Sequence, residues 1–487
     1  MFGIIKLVFV RHGVIAALCA ALGLRLVFLD NAYYSGFEEL YRDLRVITAL
    51  IEGRGFPLVG PSASFGGFFV GPAYYYLVAL FVYVFSYHPA GAVMASTIGS
   101  VFSVWVFYRL LLRWFGLKPY ALAGAWMLAV SNFDIHNAVY ASNPTLLPLF
   151  VLCVLHGLTS IFDRTLTGRG ATGLGLAAGI AMQLHGTALV FVPLAVLGAV
   201  IRSRPPLRRT VLIIAAAFLT FAPYLVFEIQ NGFSNAKRLF DVGTASYALL
   251  PRADTARAIL AHFYYATLSP VTPYFGATFA YRVGAMLQAG FLLVVVRRIF
   301  QRRSGPIAHA LSAHAAPVIA LWAVSSVGLL FFYQKYTVPH YYLIFWPLPI
   351  ILYLFAMRWL EARFRLFAPA LAIFIVMQLL QYSVLVIPAR GAIWPHGAMR
   401  KALAVIQNDA HGGSYAILND GTHFLAYYTE LAGVGLNRDA SDAAFVYRIT
   451  RDPITAVPAP PDGFRYVRTR RYDGVTVYAY ARTDTTP

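Results

Sequence analysis

The sequence predicts an α-helical polytopic membrane protein, and three observations lead to that prediction. Of its 487 residues, 59% are hydrophobic and only 12% are charged, whereas soluble globular domains carry about 25% charged residues. Apolar stretches near the roughly 20 residues that cross a bilayer recur from the N-terminus to about Pro388. Arg and Lys concentrate in the short segments between these stretches, which is the bias of cytoplasmic loops.

We expect about 11 transmembrane helices, with the N-terminus in the cytoplasm and the C-terminus outside. Lys6 and Arg11 precede the first apolar run, as in a signal peptide. No persuasive cleavage site follows and Arg25 interrupts the run, so we expect an uncleaved first helix. The predicted spans lie near residues 10–29, 91–113, 119–139, 143–162, 171–186, 187–203, 209–227, 281–298, 308–332, 340–357 and 366–388.

Residues 73–87 are apolar enough to look like one more span. If this segment crossed the bilayer, every later basic loop would fall on the outer side, against the positive-inside bias. We therefore place it in the outer interface, where Tyr side chains are favoured. The first loop (residues 30–90), the loop 228–281 and the tail (residues 391–487) then share the outer face.

The tail differs in composition from the rest of the chain. Residues 414–418 and 475–480 alternate apolar and polar side chains, which predicts strands. Residues 398–408 have a helical pattern. We therefore predict two parts, a transmembrane domain over residues 1–390 and a small C-terminal α/β domain over residues 391–487.

Charge and cysteine content disfavour several classes of protein. The formal net charge of +19 comes from basic loops between spans, so membrane lipids or an anionic lipid substrate explain it better than nucleic acid does. Cys19 and Cys153 lie in apolar runs and give no disulfide framework. The sequence also lacks the phosphate loop of ATP-driven pumps, the His-Glu-x-x-His zinc helix and the Gly-x-Ser-x-Gly nucleophile motif.

Three carboxylates, Glu38, Glu39 and Asp43, lie just after the first span in a chain where acidic residues are scarce. On a short helix Glu39 and Asp43 are four residues apart and share one face. A carboxylate at this place is suited to act as a general base that takes a proton from an acceptor hydroxyl. The alternative is a solvated helix whose acids pair with Arg42 and Arg45, and spacing alone does not decide between the two.

The segment after these acids is rich in Gly, Pro and aromatic residues over positions 52–61 and 66–76. With the acid cluster, it resembles the first periplasmic loop of the GT-C glycosyltransferases, in the branch of the aminoarabinose–lipid A transferases and protein O-mannosyltransferases. The resemblance extends over residues 10–390. It implies the GT-C fold, interfacial helices in the first loop, a polyprenyl-phosphate-linked sugar as donor, and a bacterial inner membrane with the tail in the periplasm.

The same resemblance suggests where the donor phosphate binds. His185 ends a span where relatives have a Lys before a Gly, and Gln183 is a hydrogen-bond donor nearby. Lys335 precedes His340 in a segment similar to a Lys-rich segment of the relatives, so both are candidates to bind phosphate as cations. Ordinary roles stay open: a His satisfied within the helix bundle, or interfacial Lys and His side chains in water.

Further polar residues at span ends are candidates for the substrate pocket, because ionisable groups at membrane depth are costly and usually functional. For Asn143, which precedes Pro144, helix capping is an alternative. Glu228 is a second possible acid, or an interfacial residue that enters a loop. The candidates for the pocket are Asp134, His136, Asn143, Tyr74, Tyr75, Glu228 and Tyr341.

The sequence and the resemblance together predict an inverting glycosyltransferase that moves a monosaccharide from a polyprenyl phosphate to an envelope acceptor. The acceptor is a glycolipid such as lipid A, a glycan or a protein. Asp43 or Glu39 is favoured as the base, and Glu38 stays open. The chemistry requires no cofactor, although a divalent metal is an open alternative. The competing class is a lipid or sugar transporter or flippase, which usually has inverted repeats and broken midplane helices that the sequence does not show.

Overall fold

In the computed structural model the chain is mostly helical, with a small sheet in the tail. Helices are expected of long apolar runs, because a helix satisfies its backbone hydrogen bonds internally where water is absent. The structure describes residues 2–27, 37–63, 67–244, 253–254, 256–257, 315–333, 339–364, 367–383, 396–409, 414–418, 423–432, 443–451, 457–472 and 475–483.

The helices before residue 245 follow one another with short connections. They are α1 (Phe2–Leu26), α2 (Phe37–Ile51), α3 (Ala73–Val84), α4 (Ala90–Phe115), α5 (Lys118–Ala129), α6 (Asn132–Tyr140), the 3₁₀ turn Asn143–Leu146, α7 (Leu147–Phe162), α8 (Gly168–Leu184), α9 (Gly186–Ser203), α10 (Leu207–Thr220), α11 (Ala222–Gln230) and α12 (Ser234–Thr244). Later in the chain lie α13 (Ala315–Tyr333), the 3₁₀ helix Pro339–Phe345, α14 (Leu348–Phe364) and α15 (Phe367–Gln381).

Within the described ranges, 3 helices are long and apolar enough to cross a bilayer: Ala90–Phe115, Asn143–Phe162 and Gly186–Ser203. α10 and α11 make a fourth if they count as one span bent by 61°. Pro223 in the first turn of α11 accounts for the bend, because its ring displaces the preceding turn and it lacks an amide hydrogen. Helices of this length and apolar composition are those of a membrane protein.

One predicted span differs from the structure, and one predicted interfacial segment agrees with it. The single span predicted over 119–139 is wrong in detail, because α5 ends at Ala129 and Ser131 caps a new helix by accepting from the Asp134 amide at 3.4 Å. By contrast, α3 has 12 residues and is about 18 Å long, too short for a hydrocarbon core of about 30 Å. This length fits an interfacial helix. The predicted span 281–298 lies outside the described residues.

Small residues allow the helices to pack closely. A Cβ added to Gly175 of α8 would lie 2.2 Å from the carbonyl oxygen of Ile213 in α10, and one at Gly179 would lie 2.7 Å from that of Ala217. Such close backbone approach is a usual basis of helix association in a bilayer. Helix α4 lies within the bundle, where it contacts α1, α3, α5, α6 and α7.

The described residues of the tail form two helices and a four-stranded sheet in the order β1-β2-β4-β3. β1 and β2 are parallel and the other pairs are antiparallel. The elements are α16 (His396–Asp409), β1 (Tyr415–Leu418), α17 (His423–Leu431), β2 (Phe445–Arg451), β3 (Phe464–Tyr472) and β4 (Val475–Arg482). The predicted strands correspond to β1 and β4 and the predicted helix to α16, whereas β2 and β3 were not predicted.

Candidate active site

The acidic residues of the first loop lie on α2, where Glu39 and Asp43 differ strongly in burial. Apolar residues of α2 face the bundle, and Asp43 lies among them with only 1% of its surface exposed. Glu39, one turn earlier, is exposed. Glu38 also belongs to α2, but its side chain lies outside the described residues. The helix therefore presents one buried and one solvated carboxylate from the same predicted cluster.

The two carboxylate oxygens of Asp43 have different surroundings. Oδ1 accepts a hydrogen bond from Nε of Arg42 at 2.9 Å and one from the Tyr75 hydroxyl at 3.2 Å. Oδ2 is buried and has no hydrogen-bond partner among the described residues. Burial raises the pKa of the Asp43 carboxyl from 3.8 to about 7, against the opposite effect of Arg42. A group with this pKa can take up and release a proton near neutral pH.

The neighbouring Tyr74 connects α3 to the turn after α6. It is fully buried, and its hydroxyl donates to the carbonyl of Ala141 at 2.8 Å. Its ring lies 6.0 Å from that of Tyr75, centroid to centroid. On α6 itself, His136 is exposed, with its ring 6.4 Å from that of Tyr140. Tyr74 and Tyr75 thus fix the position of α3, and Tyr75 also contacts the buried acid.

His185 occupies the junction between α8 and α9. Its backbone is extended, and its Nδ1 accepts a hydrogen bond from the Thr187 amide at 3.2 Å, which caps α9. Since Nδ1 is an acceptor, Nε2 carries the proton of the neutral ring. Asn143 donates to the carbonyl of Leu184 at 2.6 Å. Asn143 therefore holds the end of α8 in addition to beginning its own 3₁₀ turn.

The 3₁₀ helix Pro339–Phe345 brings two more predicted residues to this junction. The ring of His185 lies 5.3 Å from that of His340 and 4.9 Å from that of Tyr341. The His340 and Tyr341 rings are stacked at 5.1 Å. The structure thus brings His185 next to His340 and Tyr341, which are more than 150 positions away in the sequence. Lys335 lies outside the described residues.

Gln183 uses its amide hydrogens within the bundle. Its Nε2 donates to the carbonyl of Gly179 at 3.2 Å, and to the carbonyl and the hydroxyl of Thr220 at 3.0 Å each. The backbone of Gly71 packs against the same side chain, so that a Cβ there would lie 2.3 Å from its Cγ. In this arrangement the amide hydrogens of Gln183 bind within the bundle, and its side chain packs against the first loop.

Asp134 is paired within the bundle. Nη2 of Arg25 lies 2.5 Å from its Oδ2, and the Ser100 hydroxyl donates to the same oxygen. Arg25 also donates to the carbonyls of Ala21 at 2.7 Å and Ala129 at 3.0 Å. These bonds give Asp134 a structural role that joins α1, α4 and α6. The sequence signal was Arg25 itself, since a charge in an apolar run needs a buried partner.

Glu228 is a second buried acid. It is 2% exposed, and neither carboxylate oxygen has a hydrogen-bond partner among the described residues. It neighbours Tyr224, whose hydroxyl accepts from Asn235 at 2.5 Å. Asn235 also bonds both the amide and the carbonyl of Phe69, at 2.7 and 3.0 Å. Glu228 thus lies next to the Tyr224–Asn235 contact, and Asn235 joins α12 to the first loop.

Metal ligation is not evident in the described part of the chain, where no three His, Cys, Asp or Glu side chains are grouped to hold an ion. The candidate site instead consists of two clusters. The acid cluster is Asp43 with Arg42 and Tyr75, and the histidine cluster is His185, His340 and Tyr341. The first supplies a carboxyl that can exchange a proton, and the second supplies imidazole and phenol hydrogens that can bind an anion.

Comparisons with protein-family models and with curated proteins gave no match. Among solved structures, ArnT from Cupriavidus metallidurans bound to undecaprenyl phosphate matches with a TM-score of 0.60 at 13% identity, over 96% of this chain and 97% of that chain. The apo state of ArnT gives a TM-score of 0.59 with the same identity and coverage. The Archaeoglobus fulgidus oligosaccharyltransferase in complex with Zn and sulfate gives 0.49 at 13% identity, over 90% of this chain and 67% of that chain.

At 13% identity the likeness to ArnT shows the fold. The match includes nearly the whole of both chains. The resemblance recognised in the first loop is confirmed at this level. The chain has the fold of ArnT from Cupriavidus metallidurans.

Proposed function

We propose that the protein is an inverting glycosyltransferase that uses a polyprenyl-phosphate-linked monosaccharide. The observation that carries the proposal is the buried Asp43, which has one unpartnered oxygen and a pKa near 7, on a fold shared with a protein that binds undecaprenyl phosphate. In this proposal the chain has about eleven spans in a bacterial inner membrane. The tail is a small periplasmic α/β domain over residues 391–487.

The histidine cluster is proposed to bind the donor phosphate. His185 donates its Nε2 hydrogen to the phosphate in this proposal, because Nδ1 accepts the hydrogen bond of the Thr187 amide. The rings of His340 and Tyr341 stack on each other and meet the His185 ring edge-on. Both side chains are proposed to contribute to the phosphate site. Lys335 is proposed to bring a fixed positive charge to the same phosphate. Hydrogen bonds and charges that meet the leaving phosphate stabilise the negative charge that develops on it.

The acid cluster is proposed to activate the acceptor. Oδ2 of Asp43 takes the proton of an acceptor hydroxyl, and the hydroxyl oxygen attacks C1 of the sugar. The bond between C1 and the phosphate oxygen breaks, and polyprenyl phosphate leaves with the electron pair. A single displacement inverts the configuration at C1. Arg42 and Tyr75 bind Oδ1, which leaves the other oxygen for the proton. Glu39 is the alternative base.

The remaining candidates are proposed to shape the pocket. Tyr74 orients α3, Asn143 fixes the end of α8, and Glu228 lies where the first loop meets α12. His136 is proposed as an exposed contact for the acceptor. The acceptor itself is an envelope glycolipid, a glycan or a protein.

The proposal is tested with the full-length protein in proteoliposomes that contain undecaprenyl-phosphate-linked monosaccharides labelled in the sugar, with an envelope lipid extract as acceptor. We expect the label to become covalently attached to an acceptor, with release of undecaprenyl phosphate. Movement of the intact labelled lipid across the bilayer, without bond breakage, would show a flippase instead. Mass spectrometry of envelope glycolipids from cells with and without the gene identifies the acceptor.

The base is identified in the same assay with three separate changes, Glu38→Gln, Glu39→Gln and Asp43→Asn. We expect Asp43→Asn to abolish transfer while the protein stays folded, because Asn cannot accept the proton. Near-normal turnover in all three variants would contradict the assignment of the base to this cluster.

A further inference from the structure

The tail packs directly on the helix that carries the acids. Tyr41 of α2 is fully buried, and its ring centroid lies 5.5 Å from those of Tyr427 and Tyr428 of α17. The hydroxyls of Tyr41 and Tyr428 are 3.2 Å apart. Arg45 donates to both carboxylate oxygens of Glu430, from Nε at 2.9 Å and from Nη2. A buried aromatic cluster and a two-bond ion pair therefore join α2 to α17.

These contacts lie on the face of α2 opposite to Asp43. Successive helical residues are turned by about 100°, so Tyr41 and Arg45, four apart, share a face. Asp43 is midway between them in sequence and is turned about 160° away from each. Its hydroxyl partner, Tyr75, belongs to α3. In consequence α2 lies between α3 on one side and α17 on the other.

α17 also contacts the end of α3. The hydroxyl of Tyr427 donates to the carbonyl of Tyr87, in the turn between α3 and α4. Ser86 and Tyr87 have φ angles of 50° and 61°, which hold this turn in the left-handed region. One helix therefore contacts both α2 and the α3–α4 turn, and it restrains the distance between the two elements whose contact buries Asp43.

We propose that α17 is a positioning element of the active site, which holds α2 against α3 and thereby keeps Asp43 out of water and bonded to Tyr75. The catalytic consequence rests on the proposed function, whereas the contact itself does not. Among the described residues, the charged and titratable groups that face Asp43 are Arg42 and Glu39 of α2 and Tyr74 and Tyr75 of α3. The α17 helix therefore acts on the carboxyl through the positions of α2 and α3.

The test compares two double variants of the full-length protein. Tyr427→Phe with Glu430→Gln removes a hydroxyl bond and an ion pair from the α17 contacts. The matched control, Tyr480→Phe with Asp409→Asn, removes the same groups inside the tail. There the Tyr480 hydroxyl bonds the carbonyl of Pro458 at 3.0 Å and Asp409 pairs with Arg468. Both double variants keep every buried ring, so both are expected to fold.

The first readout is hydrogen exchange of the α2 amides, which requires no enzymatic activity. Each lost bond weakens a contact modestly, so we expect α2 to exchange on the order of tenfold faster in the α17 variant and at the wild-type rate in the control. Equal α2 exchange in the two double variants would overturn the inference.

The second readout is sugar transfer. In the α17 variant we expect kcat to fall while KM for the lipid-linked donor stays unchanged, and the acidic limb of the kcat profile to move to lower pH as Asp43 becomes hydrated. Faster exchange of α2 with an unaltered kcat and pH profile would also overturn a positioning role. If the wild-type protein transfers no sugar, the proposed function fails by itself, and the exchange rates alone decide whether α17 holds α2.

Discussion

Replacing Asp43 by Asn changes how the stability of the protein depends on pH, because it removes a titrating carboxyl from a buried place. Asn has nearly the same shape and can keep the hydrogen bonds of Arg42 and Tyr75 only in part. The informative quantity is therefore the difference between wild type and variant at two pH values, in which any constant cost of the substitution cancels.

The structure gives both the sign and the size of this difference. Burial raises the pKa of Asp43 from 3.8 to about 7. A carboxyl whose pKa is raised by folding stabilises the folded state fully below its unfolded pKa, and this stabilisation is lost as the pH rises through the folded pKa. Between pH 5 and pH 8 wild type should lose roughly 2–3 kcal/mol relative to the Asn variant, at about 1.36 kcal/mol per pKa unit.

The assay is thermal unfolding of the purified protein in detergent at pH 5 and pH 8, for wild type, Asp43→Asn and Glu39→Gln. Glu39 is the matched control because it is an acid on the same helix but exposed. We expect wild type and Glu39→Gln to lose stability together as the pH rises, while Asp43→Asn loses less. Parallel curves for wild type and Asp43→Asn would refute the reasoning that burial holds the proton on this carboxyl.

Two further changes test the packing around the site. Arg25→Leu leaves Asp134 as a buried charge without its cation and should lower the free energy of unfolding by roughly 3–5 kcal/mol. Adding Asp134→Leu in the same chain should restore much of this stability. Thermal unfolding in detergent measures both variants, and a double variant as unstable as Arg25→Leu would contradict the pairing. Gly71→Ala places a Cβ 2.3 Å from the Gln183 side chain and should lower the free energy of unfolding by about 1–3 kcal/mol. Gly55→Ala is the control, because a Cβ there has nothing within 4 Å, and its stability should be near that of wild type in the same measurement.

The fold could be predicted because hydropathy and basic loops report directly on membrane crossing. The early acids together with the Gly- and Pro-rich segment were specific enough to indicate the GT-C fold. The break between α5 and α6 was missed because it depends on capping by Ser131, which a hydropathy average does not detect. β2 was missed because its pairing partners, β1 and β4, lie elsewhere in the sequence.

The sequence indicated the identity of candidate site residues but not their proximity or their burial. His185 and His340 were identified by resemblance, and their proximity could not be read from positions so distant in the chain. The sequence offered Glu39 and Asp43 as equals, and only three-dimensional packing separates a buried acid from an exposed one. Hydrogen-bond partners of Gln183 and Asp134 lie far from them in the sequence, so the sequence alone did not identify these contacts.

The Arg25–Asp134 pair has a consequence for how the protein is made. The two residues are 109 positions apart, which corresponds to about 5–20 s of synthesis at roughly 5–20 residues per second. During that interval Arg25 is without the carboxylate with which it pairs in the folded chain, and α1 lacks the bond that joins it to α6. The final packing of the N-terminal helix is therefore expected only after α6 has been made.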